Sequence, residues 1–313
     1  MNLQMIVQQY SAFRQALGER FATNGHILKA FSHALGPERE IADVSPEKVN
    51  AFLVGKGLLT TSWYVRHNAL VGFYRYAMSR GFVTTSPLPA IVPKIPTTFQ
   101  PYIYSPTELR RILDAIERSR RSNCDLDASV LRALILLMYG AALRISEVLS
   151  LTIGDVDLCG AVLTIRDSKF FKSRLVPVGP KTVRVLVDYT NHRNPAVRKS
   201  DALFFVDRNS KQIPTHKLER AFQQVRKHAG LRREGGSRCQ PRLHDLRHTA
   251  AVHRLTSWYQ EGKDVQKLLP QLSVYLGHTQ LAATQRYLSL TPELLHEASL
   301  RFERYAIRED SND

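Results

Sequence analysis

Four prolines, Pro87, Pro89, Pro93 and Pro96, fall within the run S-P-L-P-A-I-V-P-K-I-P. Each lacks an N–H, fixes its own φ and pushes the preceding residue out of helical geometry, so the run is held extended. The chain has 313 residues, length enough for about two domains, and this is where it divides. The expected organisation is a first domain over 1–88, an extended proline-rich linker over 89–104 and a second domain over 105–313.

The first domain reads as helices. Ile27, Phe31 and Leu35 recur at four-residue intervals, and Val65, Ala69, Phe73, Tyr76 and Ala77 repeat the pattern before Gly81, a helix C-terminal signal. Arg66, His67, Arg75 and Arg80 accompany the second stripe; they form either a solvated face or a surface for an anionic partner. The second domain opens on S-P-T-E, with Ser105 as N-cap, Pro106 at the first helical position and Glu108 closing a capping box. The apolar stretch from Val130 to Leu151 reads as one buried helix carrying Arg144 near its end. Val162–Arg166 and Arg174–Val178 are β-rich and form a hairpin with Lys169 at or beside its turn. The remainder is mostly helical, and Thr291-Pro292-Glu293 starts a last helix, Pro292 to Tyr305. The fold class is mainly α with a small β-sheet.

Composition bounds the partners. Forty-four Lys and Arg against 28 Asp and Glu give a formal charge of +16. The basic residues recur along the chain, which suits a long footprint on duplex DNA; RNA and an acidic membrane surface share the charge logic. No apolar run has the roughly 20 residues of a membrane helix, and no secretory signal opens the chain, so a cytoplasmic protein with no membrane association is expected. Three widely spaced cysteines, Cys124, Cys159 and Cys239, form neither a disulfide framework nor a zinc knuckle.

Five short segments of the second domain carry chemistry. They are A-A-L-R-I-S-E around Arg144, S-K-F-F-K-S-R around Lys169, H-D-L-R-H around His244 and Arg247, L-G-H at His278 and T-Q-R-Y at Tyr287. Arg144 interrupts a buried run, where a guanidinium requires an anionic partner; a pair with Glu147 on one helix face is the plain alternative, and a phosphate the other. If that stretch is helical, His244 and Arg247 face the same side. His248 adds the i, i+4 histidine spacing of some metal sites, but Arg247 between them would repel a divalent cation. A phenol with a pKa near 10 is a poor nucleophile unless neighbouring cations favour phenolate. The same cations stabilise charge on a phosphoryl group in its transition state.

In this order the segments resemble the tyrosine recombinases of the phage-integrase and Xer type. Ala142-Leu143-Arg144-Ile145-Ser146-Glu147 matches that family's A-L-R-x-S-E, His244 to His248 matches H-x-x-R-H, Leu276 to His278 matches L-G-H, and Thr284 to Tyr287 matches T-x-x-Y. The resemblance implies a helical core-binding domain, a linker and an α+β catalytic domain. It implies attack by Tyr287 on a DNA phosphodiester, a 3′-phosphotyrosyl link and a released 5′-hydroxyl. Arg144, Arg247 and His278 would hold the non-bridging oxygens, Lys169 would protonate the 5′-oxygen and His244 would assist proton transfer at the nucleophile. No metal or other cofactor is implied. The implied partners are double-stranded DNA at the nucleoid and a homotetramer on synapsed sites, alone or with related recombinases, serving integration, excision or transposition of a mobile element. Arg66, Arg75, Lys172 and Arg174 are the candidate DNA contacts.

Two departures from the pattern stand out. The hairpin turn is Ser168-Lys169-Phe170-Phe171-Lys172 in place of a glycine-rich G-K-G-x-K, which leaves Lys172 as the alternative acid. The stretch between Arg247 and His278 is long, with W-Y-Q-E-G-K-D pointing to a lengthened helix or loop. Rival readings are an integrase-fold DNA-binding protein without catalysis, a type IB topoisomerase and a hairpin-forming protelomerase.

Overall fold

The computed structural model describes residues 2–55, 59–94, 100–118, 126–166, 173–191, 199–236, 239–289, 295–300 and 302–303. The chain forms two compact units, Met1–Thr98 and Phe99–Asp313.

The first unit packs α1 (Leu3–Ala16), α2 (Ala22–Leu35), α3 (Pro46–Val54) and α4 (Thr61–Ser79). Leu3, Ile6, Leu28, Phe31, Leu53, Leu70 and Phe73 form its core, with Trp63 and Tyr74 beside them. The α4 stripe is broader than expected and turned to include Trp63, Leu70 and Tyr74; Val65 is 46% exposed. At 3.6 residues per turn Val65 lies roughly 200° round the helix from Trp63, so burying the larger indole exposes the valine. Gly81 ends α4 at φ +72°. Its N–H donates to Met78 O at 3.0 Å and the Phe82 N–H to Ala77 O at 2.9 Å, a Schellman motif satisfying carbonyls the helix leaves open.

The basic residues of α4 divide. Arg66 donates from Nη1 to Phe52 O at 3.0 Å and Leu53 O at 3.3 Å and lies over the Phe52 ring, so it covers the C-terminal end of α3. His67 is buried and stacked on Trp63 at 4.8 Å. Arg75 and Arg80 are exposed.

The second unit begins with α5 (Pro106–Arg118). Its capping box is complete: the Ser105 N–H donates to Glu108 Oε2 at 2.8 Å and the Glu108 N–H to Ser105 Oγ at 3.2 Å. Tyr104, at the expected end of the linker, is fully buried; its N–H donates to Thr249 Oγ1 and its hydroxyl to Arg242 O. The chain is thus anchored in this unit before α5 starts.

The stretch from Val130 to Leu151 is not one helix. α6 (Ala128–Gly140) stops, Ala142 adopts a left-handed φ of +50°, and α7 (Ile145–Ser150) restarts with Arg144 as its N-cap. Ala141, Ala142 and Leu143 are buried. Continuous apolarity there records burial of a turn, a distinction periodicity cannot make.

Strands β1 (Val156–Asp157), β2 (Val162–Ile165) and β3 (Arg174–Pro177) form an antiparallel sheet in that order. The expected hairpin is the β2–β3 pair, in register from Val162 opposite Pro177 to Ile165 opposite Arg174. Leu163, Ile165 and Val176 point into the core. Lys169 and Lys172 lie outside the described residues.

Then come α8 (Pro180–Asn191), α9 (Thr215–His228), α10 (Asp245–Gln260), α11 (Val265–Leu276), α12 (Ala282–Gln285) and a 3-10 turn, Arg286–Ser289. The long stretch after Arg247 is helical: α10 runs through Trp258 and Tyr259, turns at Gly262 with φ +70°, and α11 restarts behind Asp264, whose side chain accepts from the Gln266 and Lys267 N–H groups. Residues 295–300, within the expected last helix, are helical, and 292–294 lie outside the described residues. The unit has two apolar clusters, a large one around α6 and the sheet and a smaller one of Val252, Leu255, Leu269, Leu272 and Leu276 that also takes the ring of Tyr287. Among the described residues no helix is long and apolar enough to cross a membrane.

Candidate active site

The end of α11 organises the site. The last carbonyls of a helix have no partner within it and carry its negative dipole end. Here three successive carbonyls each accept from a different arginine. Arg174 Nε donates to Tyr275 O at 2.9 Å, Arg247 Nη2 donates to Leu276 O, and Arg144 Nη2 donates to Gly277 O at 2.8 Å. Gly277 makes this possible twice over. It closes α11 at φ +65°, and a Cβ on it would lie 2.6 Å from Arg174 Nη1, so the glycine of L-G-H is the space the guanidinium occupies.

One carboxylate faces the three cations from the other side. Glu147 takes Arg174 in a bidentate pair, Nη1 to Oε1 and Nη2 to Oε2 both at 3.0 Å. It accepts from Arg144 Nη1 at 2.7 Å and from the Arg144 backbone N–H at 2.9 Å, and Arg247 Nη1 lies 3.8 Å away. Burial alone would raise its pKa, but the hydrogen bonds of Arg174 and the Arg144 N–H, with the cationic field, hold it at about 2. The expected Arg144–Glu147 pair therefore exists, as the capping box of α7 rather than on a helix face, and is one edge of a larger network. Side-chain exposure ranks the arginines: 23% for Arg144, 8% for Arg174 and 2% for Arg247. Arg247 is further fixed by Nη1 to Ala142 O at 2.6 Å, the carbonyl presented by the left-handed turn. Burial and the neighbouring Arg144 bring its pKa down to about 10, so it is charged at neutral pH.

Arg174, a candidate DNA contact, is thus buried in this network, with donors engaged by Glu147 and Tyr275. Arg66, another, is engaged at α3, whereas Arg75 is displayed to solvent.

The nucleophile candidate sits against the cluster. Tyr287 is 4% exposed, and its hydroxyl lies 3.0 Å from His248 Nδ1. Burial pushes its phenol up, and the opposing pull of Arg247, Arg144 and Arg286 does not overcome it. The expectation that cations favour phenolate is outweighed here by desolvation, and Tyr287 carries its proton at neutral pH. His278 stacks on the Tyr287 ring at 6.1 Å and pairs through Nδ1 with Thr284 Oγ1 at 2.8 Å. His244 is the residue before α10, its ring edge-on to His248 at 4.8 Å.

All three imidazoles are held neutral. Burial comes first, then neighbouring positive charge: for His278, Arg247, Arg144 and Arg174 bring the pKa to about 4. His248, beside His244, Arg247, Arg242 and Arg286, falls to about 3, and His244 is also lowered. The His244–His248 spacing serves no metal-like arrangement: among the described residues no group of three His, Cys, Asp or Glu side chains could hold a metal ion.

One chain thus gathers Arg144, Arg247, His244, His278 and Tyr287, residues separated by up to 143 positions (287 − 144). Sequence reasoning left four partners without their part: Glu147, Arg174, His248 and Thr284. Spacing held signals for two, Glu147 three after Arg144 and His248 four after His244, each about one turn from its partner at the start of a helix.

Comparison with known proteins gives the family. The profile described as the phage integrase family matches residues 104–293. A putative integrase/recombinase of Sinorhizobium fredii, y4rB, is 34% identical over 303 residues, 95% of this chain and 96% of that one. The Tn1549 transposon integrase in complex with transposon right end DNA superposes with a TM-score of 0.69 at 15% identity, covering 98% of this chain and 100% of that one. The lambda integrase tetramer bound to a Holliday junction gives 0.64 at 19% identity, covering 90% and 78%. With more than half its length matched by the family profile and a relative aligned almost end to end, the chain belongs to the phage integrase family of tyrosine recombinases.

Proposed function

We propose that this protein is a site-specific recombinase that cleaves and rejoins DNA through a 3′-phosphotyrosyl intermediate, serving integration, excision or transposition of a mobile element. Tyr287 Oη attacks the phosphorus and the 5′-oxygen leaves. Arg144, the most exposed of the three guanidiniums, takes the non-bridging oxygens first, with Arg247 behind it and His278 beside the phenol. Lys169, or Lys172 in the same turn, protonates the leaving oxygen. A 5′-hydroxyl from a second duplex then attacks the phosphotyrosine and reverses the chemistry; the covalent link preserves the bond energy, so the exchange draws on no nucleotide.

The observation that carries this reading is the convergence on Tyr287. Its phenol lies in the field of Arg247 and Arg144 and within hydrogen-bond distance of an imidazole, all in one chain. Among the described residues the arginine cluster holds three cations paired with the carboxylate of Glu147, an excess that a phosphodiester would balance. Residues 1–88 act as the core-binding domain, residues 105–313 as the catalytic one, and Arg75 contributes to the DNA footprint. The lambda integrase tetramer on a Holliday junction supports a homotetramer on synapsed sites, at nucleoid DNA in the cytoplasm.

A nicked suicide substrate carrying the element end tests it. The wild-type chain should accumulate a covalent protein–DNA adduct, and Tyr287→Phe should bind the same DNA and form none. Adduct with the phenylalanine variant removes Tyr287 from the role. DNA binding without adduct by the wild type leaves a DNA-binding protein that lacks catalysis. Relaxation of plasmids without exchange points to the topoisomerase reading.

A further inference from the structure

We propose that His248, rather than His244, is the general base that takes the proton of Tyr287 as the phosphotyrosyl bond forms. The inference rests on the recombinase reading and names a further catalytic residue for it. Its observation is the hydrogen bond to the reacting atom: His248 Nδ1 stands 3.0 Å from Tyr287 Oη, within the reach a general base requires. His244 borders His248 through its ring.

The roles in that hydrogen bond follow from charge. His248 is buried, and it is hemmed in by Arg247 on its own helix, by His244 and Arg242 before that helix and by Arg286 from the turn carrying Tyr287. Burial first, and then these neighbours, disfavour a second proton on the ring, so the imidazole is neutral. The phenol keeps its proton because its ring is buried. With its ring proton on Nε2, the neutral imidazole accepts from the phenolic O–H at Nδ1, and this is the tautomer a base at this position uses. The acceptor lone pair therefore points at the proton that must leave.

A weakly basic imidazole is adequate for this task. The proton on Oη is poorly acidic in the free phenol and becomes strongly acidic as that oxygen bonds to phosphorus. A base between those limits accepts it during bond formation. Binding of the phosphodiester adds negative charge near Arg247 and so relieves part of the repulsion that keeps His248 unprotonated. The step balances: the Oη–P bond forms as the proton passes to Nδ1, and the P–O5′ bond breaks with its electron pair going to O5′, which is protonated from the hairpin lysine. In the reverse step the His248 imidazolium returns its proton to Oη.

The decisive variant is His248→Asn. Its side chain retains a hydrogen-bonding group near the Nδ1 position, so it still holds Tyr287, but an amide does not take up a proton. Single-turnover adduct formation on the suicide substrate should fall about 100-fold or more, with unchanged DNA affinity in a gel shift. His248→Leu should fall at least as far; if it does not fold, the asparagine variant decides alone. A substrate with sulfur in place of the bridging 5′-oxygen has a leaving group that departs without a proton. It should restore whichever of Lys169→Ala and Lys172→Ala is slow on the oxygen substrate and leave His248→Asn slow. A loss of less than tenfold in His248→Asn reduces the contact to positioning and overturns the proposal. Rescue of His248→Asn by the sulfur substrate overturns it too, by moving the residue to the leaving-group side. Absence of any adduct from the wild type sinks the recombinase reading itself, an outcome distinct from both.

Discussion

The two halves of the site meet the same physical environment and answer it in opposite ways. On one half, Arg144, Arg174 and Arg247 stay charged because each reaches a terminal carbonyl of α11 and shares Glu147. On the other, burial and the surrounding cations keep His248 and His278 neutral, the pull of Glu147 on His278 notwithstanding, and burial keeps Tyr287 neutral against the cations. Burial opposes charge in both halves. What separates them is whether a helix end and an anion lie within hydrogen-bond distance. The charged half is therefore a fixed scaffold for an incoming anion, and the neutral half is the one able to exchange protons.

The scaffold should break first at its one anion. Glu147→Ala leaves three guanidiniums facing one another in a buried space, and removing one partner of a buried ion pair costs about 3–5 kcal/mol. Denaturant unfolding should show a loss of that order, together with loss of adduct formation. Glu147→Gln, which keeps the shape and one acceptor oxygen and drops the charge, should fall between alanine and wild type. A loss within about 0.5 kcal/mol for alanine, the range of ordinary surface changes, would mean the α11 carbonyls hold the arginines unaided.

Next in size is a contrast within the charged half. Arg144 is the exposed member and Arg174 is buried with a bidentate partner. Arg144→Ala should lower adduct formation by about 10²–10³, roughly 2.7–4 kcal/mol as for a lost oxyanion donor, with a smaller effect on folding. Arg174→Ala should do the reverse, destabilising the fold more than it changes cleavage by the protein that remains folded. Equal cleavage defects would erase the distinction between clamp and scaffold.

How much of this was legible in the sequence follows the same division. The capping box at Ser105, the β2–β3 hairpin and the glycine after α4 were readable because each depends on neighbours in sequence. The break between α6 and α7 was not, because a buried turn and a buried helix are equally apolar; only the left-handed Ala142 distinguishes them. Arg174 looked like a DNA contact beside a basic turn. Its true neighbours, Glu147 and Tyr275, lie 27 and 101 positions away, and no local pattern reports them. The list of polar residues at the site could be read from motifs. The carboxylate that organises them, and the histidine that touches the phenol, required the fold.

The neutral half gives a prediction in pH. His278 binds its proton at about 4 in the fold against an ordinary value of 6.5. Between those values the unfolded chain carries the extra proton, so stability rises with pH there. Stability is complete above about 6.5 and declines as pH falls towards 4, with His248 extending the decline towards about 3. Glu147 contributes in the same direction only below its ordinary 4.5, as pH falls towards about 2. The urea midpoint should therefore drop between pH 6.5 and 5, where Glu147 is silent. His278→Asn, which leaves Arg144, Arg174, Arg247 and Glu147 in place around the position, should flatten that slope. An unchanged slope would show that His278 takes up its proton in the fold as readily as in water.

The smallest effect tests what orients His278. Thr284 is fully buried, and its Oγ1 meets His278 Nδ1 at 2.8 Å. Thr284→Val keeps the shape and removes the hydroxyl. A neutral hydrogen bond contributes about 1 kcal/mol net, and an imidazole nitrogen left without its partner costs about 1–3, so unfolding should shift by about 1 kcal/mol. The more telling readout is the ring. Thr284 belongs to the T-x-x-Y match and sits three residues before Tyr287, on the short helix that leads into the Arg286–Ser289 turn. Freed from Oγ1, His278 can rotate out of its stack on Tyr287, and adduct formation should fall by more than the stability change accounts for. If cleavage falls only in proportion to the unfolded fraction, the hydroxyl is packing for the turn and the ring of Tyr287 alone sets the angle of His278.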